Sequence, residues 1–76
     1  MRELVEFLAR SLVEEPEQVK VTELRRDQAM VLELQVAPPD LGKVIGRQGR
    51  TARAMRTVLA AATARSGRRY ILDILD

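Results

Sequence analysis

Residues 41–50 read Leu41-Gly42-Lys43-Val44-Ile45-Gly46-Arg47-Gln48-Gly49-Arg50, and they predict a tight loop between two helices around which the rest of the fold is arranged. The centre of this stretch, Gly46-Arg47-Gln48-Gly49, is called the glycine loop below. Two glycines three residues apart suit a backbone with positive φ and leave no Cβ in the way of an incoming group. Such a loop can bring its N–H groups to phosphate oxygens, assisted by the N-terminus of the following helix. G-x-x-G is a common pattern, so its surroundings must decide what it does.

The charge of the chain changes sign at this stretch. Residues 1–40 carry five basic and nine acidic side chains, whereas residues 41–76 carry eight basic and two acidic ones. No carboxylate occurs between Leu41 and Leu72. An uninterrupted field of one sign attracts polyanions, so the second half of the chain predicts a polyanionic partner rather than a merely solvated surface.

The composition excludes several functional classes. The 76 residues contain neither cysteine nor histidine, which excludes disulfides, thiolate and imidazole metal sites, and Cys/His or Ser/His catalysis. No apolar run approaches the roughly 20 residues that cross a bilayer, and the acidic, amphipathic N-terminus is unlike a signal peptide. We therefore expect one small cytoplasmic domain spanning residues 1–76, without a metal, a cofactor or a membrane contact.

Hydrophobic periodicity and turn residues predict six elements. They are a helix from Arg2 to about Glu14, strands Val19–Leu24 and Ala29–Val36, a short helix after Pro38-Pro39-Asp40, a helix from Arg50 to about Arg65, and a strand Arg69–Leu75. The turn at residues 25–28 makes the first two strands antiparallel, and a two-helix crossover returns the third parallel to the second. The prediction is an α+β fold, α-β-β-α-α-β, with a three-stranded mixed sheet covered on one face by three helices.

Several side chains receive specific expectations from this pattern. The helical spacing of Leu4, Val5, Leu8 and Leu12, and of Met55, Val58, Leu59 and Ala62, predicts the buried stripes of the first and last helices. Phe7 is expected in the core, and Asp40 as a cap of the short helix. Gly67 is expected to take the left-handed position after the last helix. Ile71 and Leu75 are expected on the open face of the sheet.

This order of elements, with Val44-Ile45-Gly46-Arg47-Gln48-Gly49-Arg50 across the helix junction, resembles the KH domain in its type II arrangement. The resemblance covers essentially the whole chain and is closest to the KhpA family, small bacterial RNA-binding proteins that consist of a single KH domain. Thr51 and Ala54 depart from the larger aliphatic residues of many KH domains, which implies a wider or more polar groove.

The resemblance implies a site for about four single-stranded nucleotides between the helices that flank the loop and a neighbouring strand. Gly46 and Gly49 would allow close approach, and the side chains of Arg47 and Gln48 would contact phosphates. An apolar floor would come from Val44 or Ile45, Ala54, and the second strand around Leu34 and Val36. The implied RNA-binding residues are Gly42, Lys43, Val44, Ile45, Gly46, Arg47, Gln48, Gly49, Arg50, Arg53 and Ala54.

The leading hypothesis is a non-catalytic protein that binds single-stranded RNA with little sequence specificity. The resemblance further implies an RNA chaperone or post-transcriptional regulator, linked to cell-envelope growth and cell shape, that forms a homodimer or a heterodimer with a larger KH-domain protein. Three alternatives stay open: a protein that binds single-stranded DNA, a module that docks on the ribosome or another protein, and a small enzyme that acts on phosphorylated substrates. The enzyme would need Asp40 or Asp73 as its general base.

Overall fold

The computed structural model describes residues 1–76 and has three helices packed on one face of a three-stranded sheet. The elements are α1 (Arg2–Leu12), β1 (Lys20–Arg26), β2 (Ala29–Gln35), α2 (Leu41–Ile45), α3 (Arg50–Ala62) and β3 (Arg69–Ile74). Short 3₁₀ turns occupy Pro16–Gln18, Pro38–Asp40 and Arg47–Gly49. The predicted α+β class and the order α-β-β-α-α-β are confirmed. No helix combines the length and the apolar character that crossing a bilayer needs.

The sheet has the strand order β1-β2-β3. β1 and β2 are antiparallel, with Arg26 opposite Ala29, whereas β2 and β3 are parallel, with Leu32 opposite Leu72. Both pairings are as predicted. The hairpin is tighter than the predicted four-residue turn, because Asp27 takes a positive φ of 52° and so suits a two-residue connection. β2 is thus the central strand, and β3 has an open outer edge.

The core lies between the helices and the sheet, and the buried side of α1 includes Val5 and part of Leu8 from the predicted stripe but is shifted toward Ala9. Val5 and Ala9, one turn apart, are fully buried. Phe7 lies about 200° around the helix from both, at about 100° per residue, and is 67% exposed. The expectation that Phe7 belongs to the core is therefore wrong, because the sheet covers only one side of α1.

The buried side of α3 is likewise shifted from the predicted stripe. Ala52, Met55, Leu59 and the following Thr63 are buried, whereas Val58 is 43% exposed. Thr63 replaces Ala62 in the stripe, and its hydroxyl donates to the Leu59 carbonyl at 2.9 Å. The apolar residues left over on α1 and α3 meet in a groove, called the α1–α3 groove below, which is lined by Phe7, Leu8, Ser11, Leu12, Thr51, Ala54, Met55 and Val58.

The connection from α3 to β3 also differs in detail. Gly67 takes the expected positive φ, 74°, but α3 already ends at Ala62, so this glycine shapes the loop and not the end of the helix. Ile71 and Leu75 are each partly exposed, as expected for the open face of the sheet.

Candidate nucleic-acid interface

The glycine loop joins α2 to α3 through three residues of positive φ. Gly46 has φ 77° and ψ 170°, Gln48 has φ 56° and Gly49 has φ 74°. A Cβ on Gly46 would lie 2.8 Å from the Thr51 nitrogen and closer still to the Thr51 hydroxyl, whereas a Cβ on Gly49 would meet open space. Gly46 is therefore needed both for its backbone angles and for the close packing of α3 against the loop, and Gly49 for its backbone angles alone.

The polar side chains predicted around the loop are available to a ligand. Arg47, Gln48, Arg50 and Arg53 are all exposed, and none of their side chains makes a hydrogen bond or an ion pair within the protein. They lie on the loop and the first turn of α3, where backbone N–H groups lack acceptors within the helix. Three guanidinium groups and the positive end of a helix thus share one surface.

Lys43 is placed differently from these arginines. Its ammonium group lies 3.6 Å from an Asp40 carboxylate oxygen and 3.8 Å from a carboxylate oxygen of Glu14. Both distances are long and the pair with Glu14 is exposed, so each contact is weak. The neighbouring carboxylates still offset the charge of Lys43, which makes it a weaker attractor of phosphate than Arg47.

Asp40 is not the helix cap that its position suggests. Its side chain makes no capping bond to α2 and is only 2% exposed; its two oxygens accept hydrogen bonds from the Glu14 N–H at 3.2 Å and the Glu15 N–H at 3.0 Å. Burial alone would raise the pKa of Asp40, but these two bonds and the Lys43 charge outweigh it and lower that pKa. A carboxylate held in this way is a poor general base, and it ties the end of α1 to the start of α2.

The structure changes the predicted apolar floor. Val44, Leu34 and Val36 are buried in the core, so none of them can contact a base. Ile45 is 36% exposed beside the loop and stays available. Ala54 is exposed, but it lines the α1–α3 groove on the side of α3 that faces α1.

The strand beside the site is β3 and not β2, because β2 is paired along both edges. α3 reaches β3 through Arg56, whose Nε and Nη2 donate to the Leu72 carbonyl at 3.3 and 3.2 Å. The site predicted from the sequence includes Arg53 but not Arg56. Its spacing of three residues from Arg53, which puts both on one side of α3, was the signal that could have included it.

Comparison with known proteins finds close relatives along the whole chain. The family model described as "KhpA/KhpB, KH domain" matches residues 2–74. The chain is 48% identical over 75 residues to the RNA-binding protein KhpA of Clostridium acetobutylicum, covering 99% of this chain and 100% of that protein. It is 46% identical over 76 residues to the RNA-binding protein KhpA of Aquifex aeolicus, covering 100% and 96%. The protein of that name from Halalkalibacterium halodurans is 49% identical over 76 residues, with both chains fully covered.

Proposed function

The chain belongs to the KhpA/KhpB family of KH domains, and from this premise we propose that it binds single-stranded RNA through the glycine loop and the adjoining part of α3. Its relatives are named RNA-binding proteins, and none of those above is named as an enzyme. The observation that carries the proposal is the loop itself, whose positive-φ backbone stands beside four exposed polar side chains without partners in the protein.

The proposed contacts divide into backbone and base contacts. Gly46 and Gly49 let the sugar–phosphate chain approach the loop, while Arg47, Gln48, Arg50 and Arg53 bind phosphates. Ile45 supplies an apolar surface to one base. Gly42 leaves its side of α2 open to the ligand, Val44 packs α2 on the core, and Lys43 adds a partly neutralised charge. The sequence has only one tyrosine and one phenylalanine, and Phe7 lies in the α1–α3 groove, so phosphate contacts supply most of the affinity and make it salt dependent.

A titration with a short fluorescent single-stranded RNA tests the proposal. The double variant Arg47→Asp, Gln48→Asp should lose most of the binding at low salt, because two carboxylates would face the phosphates. Arg26→Asp, Gln28→Asp is the matched control, since it makes the same change of charge at the exposed β1–β2 turn. Circular dichroism checks that all three proteins are folded.

The same experiment separates the alternatives. Equal binding by the loop variant and the wild type would reject the loop as the RNA site and favour a protein-docking module. Equal affinity for a single-stranded DNA of the same sequence would show that the site does not read the 2′-hydroxyl group.

We also propose a cellular role as an RNA chaperone or post-transcriptional regulator, connected to cell-envelope growth and cell shape through a larger KH-domain partner. The support is the family relationship together with the small footprint of one KH domain, which favours pairing because two linked weak sites gain affinity. A strand-annealing assay tests the chaperone role. The wild type should accelerate annealing, and the Arg47→Asp, Gln48→Asp variant should not.

We further propose that residues 1–76 act as one KH domain and that it pairs with a second KH domain through the α1–α3 groove. Phe7, Leu12 and Val58 are exposed together there. Adjoining exposed apolar side chains of this size are typical of protein interfaces.

A further inference from the structure

β3 is an edge strand whose outer backbone groups have no strand partner. The Leu75 N–H donates to the Leu34 carbonyl of β2 at 2.9 Å. Because backbone groups point alternately to the two sides of a strand, the N–H and C=O of Leu72 point away from β2. Such an edge is open to hydrogen bonding by an incoming group.

Arg56 changes the hydrogen-bonding character of this edge. A guanidinium group has five N–H donors, and two of those of Arg56 are directed at the Leu72 carbonyl. That carbonyl has two lone pairs, so its accepting capacity is taken up. Three guanidinium donors, including one on each terminal nitrogen, make no bond within the protein. Beside the outward Leu72 N–H, the result is a local group of donors whose neighbouring Leu72 carbonyl is no longer free to accept.

These donors lie within reach of a nucleic-acid strand that is bound at the glycine loop. Arg56 is seven residues after Gly49, which is two turns or about 10 Å along α3. Arg53 lies between them on the same side of the helix. A nucleotide chain bound to the loop and to Arg53 therefore brings a base to the edge of β3.

We propose that Arg56 and the outer edge of β3 select a guanine base in the bound strand. The inference rests on the proposed RNA-binding function and adds a base preference to it. Guanine presents N7 and O6 as adjacent acceptors, which the two terminal nitrogens of an arginine can bind together. Adenine has the N6 amino group where guanine has O6. That amino group would face an N–H of Arg56, and two donors cannot form a hydrogen bond. Guanine and adenine stack with similar strength. A difference in affinity between RNAs that carry one or the other therefore reports the hydrogen bonds to the base.

The test compares oligouridine RNAs that carry one central guanine, adenine or 7-deazaguanine, titrated at one salt concentration. The wild type should bind the guanine RNA about tenfold more tightly than the adenine RNA. Most of that preference should vanish with 7-deazaguanine, which lacks N7, and in Arg56→Lys, which keeps the charge but not the paired donors. Arg53→Lys, the same change one turn earlier, should keep the preference.

Each other outcome has a defined meaning. Equal binding of the guanine and adenine RNAs by the wild type overturns the inference, and so does a preference that survives in a folded Arg56→Lys variant. If that variant does not fold, the comparison of guanine with 7-deazaguanine on the wild type decides. Absence of binding to all three RNAs by the wild type overturns the proposed function itself, and this inference with it.

Discussion

Position 46 requires glycine both for its local backbone conformation and for its tertiary contact with Thr51. Its angles, φ 77° and ψ 170°, are accessible almost only to glycine, and the Thr51 nitrogen stands 2.8 Å from where a Cβ would be. Gly49 shares the positive φ without the crowding, and Gly42 lies in α2 with open space around it. The three glycines of the opening stretch are therefore required to very different degrees.

Alanine substitution should rank these glycines by stability. Gly46→Ala should lower the free energy of unfolding by roughly 2 to 4 kcal/mol, since backbone strain and overpacking add. Gly49→Ala should lower it by about 1 kcal/mol through strain alone. Gly42→Ala should raise it by about 0.5 to 1 kcal/mol, because alanine favours an exposed helical position. Denaturant unfolding measures all three, and equal losses at Gly46 and Gly49 would contradict the role of Thr51.

At the level of the elements, the Asp40 carboxylate links two segments that are distant in the sequence. It accepts hydrogen bonds from two N–H groups just after α1 while its own backbone begins α2. The five-residue helix α2 has little stability of its own, because short helices do not persist in water. Holding its first turn therefore also positions the glycine loop at its other end.

The two hydrogen bonds to the ionised Asp40 carboxylate predict a specific dependence of stability on pH. The folded-state pKa of Asp40 lies below the ordinary value of 3.8, so its carboxylate stabilises the fold fully above that value. The contribution is lost as the pH falls through the lower folded-state pKa. The difference in unfolding free energy between the wild type and Asp40→Asn should thus be constant from pH 7 to about pH 5 and shrink at lower pH.

Denaturant unfolding at several pH values measures this difference. Asp73→Asn is a suitable control for a general change of charge, because the Asp73 carboxylate is exposed and makes no hydrogen bond or ion pair. A gap between wild type and Asp40→Asn that stays constant down to pH 2 would show that the ionised form contributes nothing.

At the scale of the whole molecule, the protein presents two unlike surfaces. The loop and the first turns of α3 are basic and exposed, whereas the α1–α3 groove is apolar and contains Phe7 at 67% exposure. Thr51 and Ala54 lie next to the loop in sequence but line this groove. RNA binding and pairing with another KH domain can therefore use separate faces.

If the groove pairs two copies, Phe7→Glu should shift the sedimentation coefficient of the purified protein from that of a dimer to that of a monomer. The cause would be the cost of burying a carboxylate in an apolar contact. Ser11→Glu, a charge at the rim of the same groove, should have a smaller effect. A wild type that sediments as a monomer at all concentrations would reject self-pairing through this groove.

Local sequence patterns were sufficient to predict the type and order of the elements and the directions of the three strands. Periodicity, prolines and turn residues act over a few neighbouring residues, and a hairpin and a two-helix crossover leave little freedom in strand direction. The glycine loop and its basic surroundings were readable for the same reason. Gly46 and Gly49 do take positive φ, and Arg47 and Arg50 are exposed without partners.

The rotation of each helix on the sheet could not be predicted from local patterns, and several side-chain roles depend on it. That rotation exposes Phe7 and Val58, buries Val44 and turns Arg56 to the Leu72 carbonyl. It also brings Asp40 to amides 25 and 26 residues earlier in the chain. The physical reason is that the rotation of the helices and the contacts across the core depend on how all interior side chains pack together. No local sequence pattern specifies that packing.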